Sequence, residues 1–515
     1  MKTKIISLSG EPQNNLYQLG LKEREAFRRI EGRISRLLST NTFLRQGQDI
    51  LTRAKTIMKK KEEGFFFECI KSYSEGLGID AVRYMSFLSL FELAAHYGQL
   101  YPELKGMLPG CTSVFSKNSG DIIHARLMDF PLIGIFDVTP TLYYWQSEGK
   151  PTLMSYSCEG MAPLFFQVIH ESGMSFALHH KPGLNYHATG ESVFEIAFET
   201  LFKANNYSDM RKELKERSTI TKWSFLILDK SGQVQMIDLD GLSMNHISYD
   251  LNESSPLIFT NIPLQKDLVG FDSYLNFSHQ REVWLKEKLN KSSKASLLDL
   301  MTDAEDQKSK KWLHPSATLS TIAAYQVNLT QGQVDVKEGE GALVKADKII
   351  RFSLANQNDV KIIKKEEALS PFEKAWKRAS LAQSYFDQGN YEMAYHELQM
   401  ALALMPHEQW REVFSFYLCV WDFKFISNHK ELSLIYSKLK KLKVPEPLKN
   451  QWYLFCMRFE KRLGLVLTVD ASLLSPYIIP LFEQEKAAPK PLFATWMKLL
   501  YPRLEILDIF SPHHK

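Results

Sequence analysis

Cysteine is scarce in this sequence: five residues among 515. Cys69, Cys111, Cys158, Cys419 and Cys456 are odd in number and irregular in spacing, so no disulfide framework is expected. None forms a CxxC or CxxxC pair, which speaks against a structural zinc site. An excess of one charge is also lacking. Lys and Arg number 63 against 59 Asp and Glu, a net charge of +4, too balanced for a binder of nucleic acid or anionic membrane. Long apolar runs are missing, and no window reaches the ~20 residues that a membrane span needs. The most apolar stretch, 130–145, is cut by Pro131, Asp137 and Pro140. Met1 to Gly10 has a charged start but only a broken apolar stretch before Glu11-Pro12, so no signal-peptide core is expected. The expectation is a soluble, cytoplasmic protein.

Aromatic and apolar residues are plentiful. Phe 32, Tyr 21, Trp 9 and 44% hydrophobic residues are ordinary globular composition. The length fits two or three domains at roughly 150 residues each. Phe27, Ile30, Ile34, Leu37 and Leu38 recur at steps of three and four, an amphipathic helix over 21–38 with Arg24, Arg28, Arg29, Arg33 and Arg36 around it. A second helix is expected over about 79–96. Beyond Pro109-Gly110, short apolar runs between turn residues read as strands up to about 178. A helix over 192–203 follows, then strands over 223–228, 233–239, 318–329, 333–336 and 348–354. Strands flanked by helices give a layered α/β domain over 1–358. Residues 359–371 are charged, end at Ser370-Pro371 and read as a linker; residues 372–515 read as all-helical. There Leu381, Ala382, Tyr385, Gly389, Tyr391, Ala394, Ala401 and Pro406 stand at tetratricopeptide-repeat offsets, with Arg378 at the Trp position and Leu398 at the usual Phe. One copy makes no free-standing stack, so this end should also pack on the first domain, as a plain cap or as a site for a protein partner.

The chemistry concentrates in one hairpin. Gly110-Cys111-Thr112-Ser113-Val114 is followed by the turn signal Lys117-Asn118-Ser119-Gly120-Asp121, then by His124-Ala125-Arg126-Leu127-Met128-Asp129-Phe130-Pro131. With the turn centred near Asn118, facing residues sum to about 236 in an antiparallel pair. Cys111 then lies opposite Ala125, beside Arg126. Thiol, guanidinium and carboxylate are gathered by local structure alone. Arg126 and Asp129 are three apart, so a bulge or strand end at Met128 is expected if both face one site. A thiol needs a base to attack at neutral pH, and no Cys-His motif singles out one of the 14 histidines. The α-amino group of the cysteine itself, with an ordinary pKa of about 7.7–8.0, is another base. It exists only if the Gly110–Cys111 bond is cut, and Gly110 tolerates the strained backbone that this would need.

Gly-Cys-Thr-Ser followed by His-Ala-Arg-Leu-Met-Asp-Phe-Pro resembles the N-terminal nucleophile (Ntn) hydrolases, within them the isopenicillin-N acyltransferase group. Choloylglycine hydrolases, penicillin V acylases and acid ceramidase are cousins. Arg126 and Asp129 follow Cys111 by the fitting 15 and 18 residues. Gly10-Glu11-Pro12 to Leu19-Gly20, the segment from Gly190 to Asp229-Lys230-Ser231-Gly232, Thr260-Asn261-Ile262-Pro263 and Ser278-His279-Gln280-Arg281 extend the likeness over roughly residues 5–355. His-Ala-Arg-Leu-Met departs from the usual Gly-Arg-Asn and bears on substrate contacts rather than on the nucleophile. The resemblance implies an αββα sandwich and a precursor that cuts itself before Cys111. It implies an amidohydrolase or acyltransferase that breaks a linear carbon–nitrogen amide of a small acylated amine through an acyl-cysteine. By the same likeness Asp129 would hold the freed amine, Arg126 would sit beside the thiolate, Asn261 would stabilise the oxyanion, and Arg281 would complete the set. No metal or organic cofactor is implied, and no nucleic acid.

Other readings stand beside these. Arg126 and Asp129 could be a structural ion pair, and Asn261 could cap a turn before Pro263. Phe130, Leu132, Ile133, Ile135 and Phe136 could line an acyl pocket or fill the core. His179-His180 suggests a satisfied polar pair rather than a metal site, and Asp238 and Asp240 a strand end before Gly241. The other four cysteines, in apolar surroundings, read as core. Rival functions are an inactive Ntn-type scaffold that binds a protein through its helical end, and a thiol protease with His124 or His170 as base.

Overall fold

The computed structural model describes residues 3–39, 52, 55, 64–100, 110–130, 137–162, 165–182, 185–264, 272–291, 296–305, 315–356, 358–476, 478–498 and 504. Among them, apolar alternation and tight turns build two sheets. The first joins β1 (Lys4–Ser9), β4 (Pro140–Gln146), β5 (Leu153–Cys158), β6 (Gln167–His170), β7 (Met174–His180), β8 (Trp223–Asp229), β9 (Gln233–Asp240) and β10 (Ser243–Asp250), in that order. Its pairs are antiparallel except at the edge, where β1 runs parallel to β4. The second is ordered β11 (Leu257–Phe259), β2 (Gly110–Asn118), β3 (Asp121–Asp129), β12 (Thr321–Asn328), β13 (Gln333–Glu338), β14 (Lys348–Ser353) and β15 (Val360–Lys364). The edge strand β15 lies inside the segment expected as a linker, so only six residues separate the second sheet from Pro371.

The sheets stack face to face. Phe115 and Ile122 of β2 and β3 pack with Ala177, Leu226 and Val234 of the first sheet. Helices close both outer faces. On the first sheet lie α1 (Pro12–Ser39), α2 (Phe65–Leu77), α3 (Ala81–Leu100) and α4 (Val193–Lys203), with Phe198 stacked on Phe165 at 5.0 Å. Beyond α5 (Tyr207–Lys215), the second sheet is covered by α6 (Asp272–Lys291) and α7 (Leu297–Thr302). Their Trp284, Leu285, Leu298 and Met301 meet Val114, Ala125, Leu127 and Ala324. The order helix–sheet–sheet–helix follows from these contacts. Helix α1 realises the three-and-four pattern read from sequence: Phe27, Ile30 and Ile34 are buried. It crosses α2 so closely that a Cβ on Gly20 would stand 2.3 Å from the Tyr73 carbonyl oxygen.

The all-helical end comprises α8 (Pro371–Asp387), α9 (Tyr391–Leu404), α10 (Glu408–Phe425), α11 (His429–Lys441), α12 (Lys449–Leu463), α13 (Ile479–Ala487) and α14 (Lys490–Lys498). Ser370 and Glu373 form a capping box at the start of α8, with Pro371 in the first turn, where its missing N–H costs nothing. This end docks on the sheets. Glu373 accepts from the Ala346 amide at 2.9 Å, Lys377 pairs with buried Asp347 at 2.7 Å, and Ser380 donates to the Leu319 carbonyl.

Candidate active site

The hairpin register differs from the expected one. Asn118 pairs with Asp121, leaving a two-residue loop in which Ser119 (φ 50°) and Gly120 (φ 92°) are both left-handed. Such a loop matches the twist of the strands, and it moves the register by three residues. Cys111 therefore faces Met128 and not Ala125, and Ser113 faces Arg126. Residues facing across a pair share a side, so Cys111, Ser113, Arg126 and His124 point between the sheets. Gly110, Thr112 and Asp129 point towards α6. The β2–β3 pairing runs unbroken to Asp129, without the expected bulge at Met128. Three apart on an unbroken strand, Arg126 and Asp129 lie on opposite faces: Arg126 meets the Cys111 sulfur, while Asp129 lies beside Gly110 and pairs with Arg281.

On the inner face, Arg126 donates from Nη2 to the Cys111 Sγ at 3.1 Å. The same Nη2 donates to the Leu178 carbonyl of β7, and Nη1 donates to the Phe166 carbonyl just before β6. The guanidinium is fully buried, and among the described residues no carboxylate pairs with it. Burial alone would lower its pKa, but the charges that Cys111 and Tyr325 can carry outweigh this and raise it. A guanidinium keeps its charge, so a fixed buried cation lies against the thiol.

On the outer face, Arg281 reaches in from α6. Its Nη1 lies 3.0 Å from Asp129 Oδ2, 2.9 Å from Thr112 Oγ1 and 3.3 Å from the Cys111 carbonyl; its Nη2 donates to Asn261 Oδ1 at 2.8 Å and to Ser278 Oγ at 3.2 Å. Ser278 precedes Arg281 by three residues, neighbours on one helix face. Asn261 Oδ1 also accepts the Cys111 N–H at 2.9 Å. Asp129 Oδ1 accepts from Thr321. Burial raises the Asp129 pKa, and Arg281 with Thr321 and Thr318 offsets this only in part. A Cβ on Gly110 would sit 2.9 Å from Asp129 Oδ2. Close approach of the carboxylate is thus a second reason for glycine before Cys111. The other four side chains singled out in the sequence gather around Cys111: Asn261 at its backbone N–H, Arg281 at its carbonyl, Arg126 at its sulfur, and Asp129 through Arg281.

Several neighbours carried no motif. Lys181 is wholly buried and donates to the Thr260 and Ile262 carbonyls at 2.7 and 2.8 Å, bracketing Asn261. Burial, partly offset by Asp238, pushes its pKa down to about 8. Asn261 Nδ2 donates to the His180 carbonyl at 2.8 Å, so the Thr260–Ile262 turn is fixed to the end of β7. His179 Nε2 meets Ser113 Oγ at 2.8 Å, and Ser113 also meets His124 at 3.2 Å. Burial, then the Arg126 charge, pushes both imidazoles well below their ordinary pKa. The only signal for this network was polar residues alternating with apolar ones in a buried strand.

The histidines considered as bases are engaged elsewhere: His124 with Ser113 and Ser175, His170 with Ser172. His180 is no satisfied pair with His179; among the described residues both its buried ring nitrogens have no hydrogen-bond partner, and the ring lies against Trp223. Burial, then the Lys181 charge, pushes its pKa down to about 3. Asp238 accepts from Ser224 and the Leu264 amide, and Asp240 ends β9 at the Gly241 turn. The other four cysteines are buried free thiols; burial pushes Cys69, Cys419 and Cys456 up to about 12. Phe130 is buried, while Leu132, Ile133, Ile135 and Phe136 lie outside the described residues. Among the described residues no cluster of three His, Cys, Asp or Glu is placed to hold a metal, and no helix is long and apolar enough to cross a membrane.

No protein-family model matches the chain, and no curated protein does. Solved structures do. A Caenorhabditis elegans ortholog of N-acylethanolamine-hydrolyzing acid amidase is similar over 42% of this chain and 93% of its own, at 11% identity and a TM-score of 0.32. Penicillin V acylase from Agrobacterium tumefaciens is similar over 50% and 99%, at 11% identity and 0.30. A variant of conjugated bile acid hydrolase from Clostridium perfringens is similar over 50% and 98%, at 12% identity and 0.30. These likenesses are shallow, and the functional reading rests on the residues of this chain.

Proposed function

We propose that the chain is a self-processing cysteine amidohydrolase or acyltransferase of the Ntn type. The observation that carries this is the two-sided grip on Cys111: Arg126 on its sulfur, Asn261 and Arg281 on its backbone. A structural cysteine needs neither. Nor does a purely structural ion pair account for Arg126, whose charge faces the thiol and not Asp129.

In the first step the Cys111 sulfur attacks the Gly110 carbonyl carbon. The C–N bond breaks, the nitrogen takes the thiol proton, and a thioester joins Gly110 to Sγ. That step already frees the Cys111 α-amino group; water then hydrolyses the thioester, releasing a Gly110 carboxylate and proton and restoring the thiol. That amine inherits the place of the Cys111 N–H, within reach of Asn261 Oδ1, with Asp129 one guanidinium away. It accepts the thiol proton as Sγ attacks a substrate amide, then gives it to the departing amine. The oxyanion needs a donor; Asn261 Nδ2 suits this only after release from the His180 carbonyl. The resulting acyl-cysteine is discharged by water or by an acceptor amine. No metal is called for in these steps.

The test is the mass of the purified chain. Self-processing gives pieces of 110 and 405 residues, Cys111→Ala gives one intact chain, and the processed enzyme turns over members of an acyl-amide panel. An uncut wild-type chain without turnover contradicts the proposal and leaves the scaffold reading.

A further inference from the structure

Three consecutive residues at the end of β7 hold one turn. His179 Nδ1 stands 3.4 Å from the Thr260 carbonyl oxygen, the His180 carbonyl accepts from Asn261 Nδ2 at 2.8 Å, and Lys181 Nζ donates to the Thr260 and Ile262 carbonyls at 2.7 and 2.8 Å. The turn leaves β11, whose Phe259 pairs with Ser113 of β2 in the second sheet, whereas β7 belongs to the first. Lys181 therefore ties the two sheets together at the residue whose Oδ1 accepts the Cys111 N–H.

These bonds differ in what they hold. The His180 carbonyl and the Cys111 N–H meet the Asn261 side chain; Lys181 meets the backbone on either side of it. In the proposed reaction Asn261 Nδ2 leaves the His180 carbonyl to meet the oxyanion. The side chain then no longer anchors the turn, and the two lysine bonds keep the backbone in place while the carboxamide moves. Beyond the turn, Asp238 accepts the Leu264 amide at 2.8 Å. Burial disfavours the ammonium most; Asp238 of β9 and Cys111 favour it, and Lys222 and Arg281 oppose it. Its neighbours His179 and His180 are kept neutral, chiefly by burial.

We infer that Lys181 is a positioning residue for the amide chemistry at Cys111: its ammonium fixes the Asn261 backbone, and thereby the carboxamide that meets first the Cys111 N–H and then the oxyanion. The inference rests on the amidase reading and deepens it. A charge-assisted hydrogen bond is about twice as strong as a neutral one, so the anchor weakens when the lysine loses its proton. Its pKa, lowered to about 8, brings that loss within reach of a pH profile.

The experiment follows turnover of an acyl-amide panel against pH for wild type, Lys181→Met and Asp238→Asn. Wild type should give a bell, rising with the Cys111 amine and falling above a pH of about 8. Lys181→Met should lower kcat about 10–10²-fold, the scale of a small misplacement near the reacting atoms, with KM little changed, and should lose the alkaline fall. Asp238→Asn leaves both lysine bonds in place but removes a charge that favours the ammonium, so its fall should come at lower pH. It also keeps the test open should Lys181→Met not fold. In the uncut Cys111→Ala chain, hydrogen–deuterium exchange over residues 257–264 reads the anchor without any chemistry; adding Lys181→Met should speed it while β13 and β14 stay protected. An active wild type whose Lys181→Met variant keeps its kcat or its alkaline fall would overturn this inference alone. So would unchanged exchange, or an alkaline fall that Asp238→Asn does not move. A wild type without turnover would overturn the amidase reading and this inference together.

Discussion

At the scale of the residue, the account turns on a buried cation that has no carboxylate partner among the described residues and lies against a thiol. Replacing a whole buried ion pair by apolar side chains is often neutral or stabilising, but Arg126 donates to the Phe166 and Leu178 carbonyls, and an acceptor left buried without its donor costs about 1–3 kcal/mol. Arg126→Met should therefore fold with a melting temperature below the wild type's. Its self-cleavage should also slow by about 10²–10³-fold, the loss typical of removing one group that meets developing charge. A folded Arg126→Met chain that cuts itself at the wild-type rate would show that the arginine is structural. The residues involved were legible in the sequence as a set, because one hairpin and two short motifs carried them. Their division between sulfur and backbone was not. That depended on a turn whose register follows from the backbone of Ser119 and Gly120, where a shift of three residues turns a side chain to the other face.

At the scale of the element, residues 1–110 supply a sheet edge and a helical layer. Glu23 of α1 is buried beneath them and accepts from Tyr73, Tyr143 and the Gly160 amide. Tyr84, Cys158 and Glu159 are its other titratable neighbours. Burial pushes Glu23 up to about 7. Its folded form binds a proton more tightly than the unfolded chain does. Its stabilising contribution is thus complete below about 4.5 and is lost as pH rises through 7. At about 1.4 kcal/mol per pH unit the loss is about 3 kcal/mol. Denaturant melts of wild type should show this fall between pH 5 and 8, and Glu23→Gln should flatten it; parallel profiles would contradict the assignment. Gly76 is the second close contact of α1 and α2, where a Cβ would stand 2.2 Å from the Tyr17 carbonyl oxygen. Gly76→Ala should cost about 1–3 kcal/mol by the same measurement, since backbone and not a flexible side chain blocks the methyl. Helix α1 was readable from its apolar steps. Strand β1 and helix α2 were not: β1 is a single edge strand paired with residues more than 130 positions away, and no separate pattern marked Phe65–Leu77.

At the scale of the whole molecule, the two regions meet through charged groups as well as apolar ones. Asp347 has no exposed side-chain surface and is paired with Lys377 of α8. Removing the lysine strands a buried carboxylate, so Lys377→Met should destabilise the chain by about 2–4 kcal/mol, somewhat below a fully buried pair because the lysine is partly solvated. A single unchanged melt would mean that the docking draws little from this pair. The layered α/β domain and the helical end were legible because periodicity changes along the chain; the two-sheet sandwich was implied only by the family resemblance. That this end packs on the first domain was legible from its single repeat copy; the residues that dock it were not, because Glu373, Lys377 and Ser380 read from sequence only as the polar side of a helix.

The central claim is that Cys111 becomes a chain terminus. Intact-mass measurement of freshly purified wild type beside Cys111→Ala tests it most directly. The account predicts pieces of 110 and 405 residues for the wild type and a single full-length mass for the variant. A full-length wild-type mass that persists on incubation, or identical pieces from the variant, would contradict it.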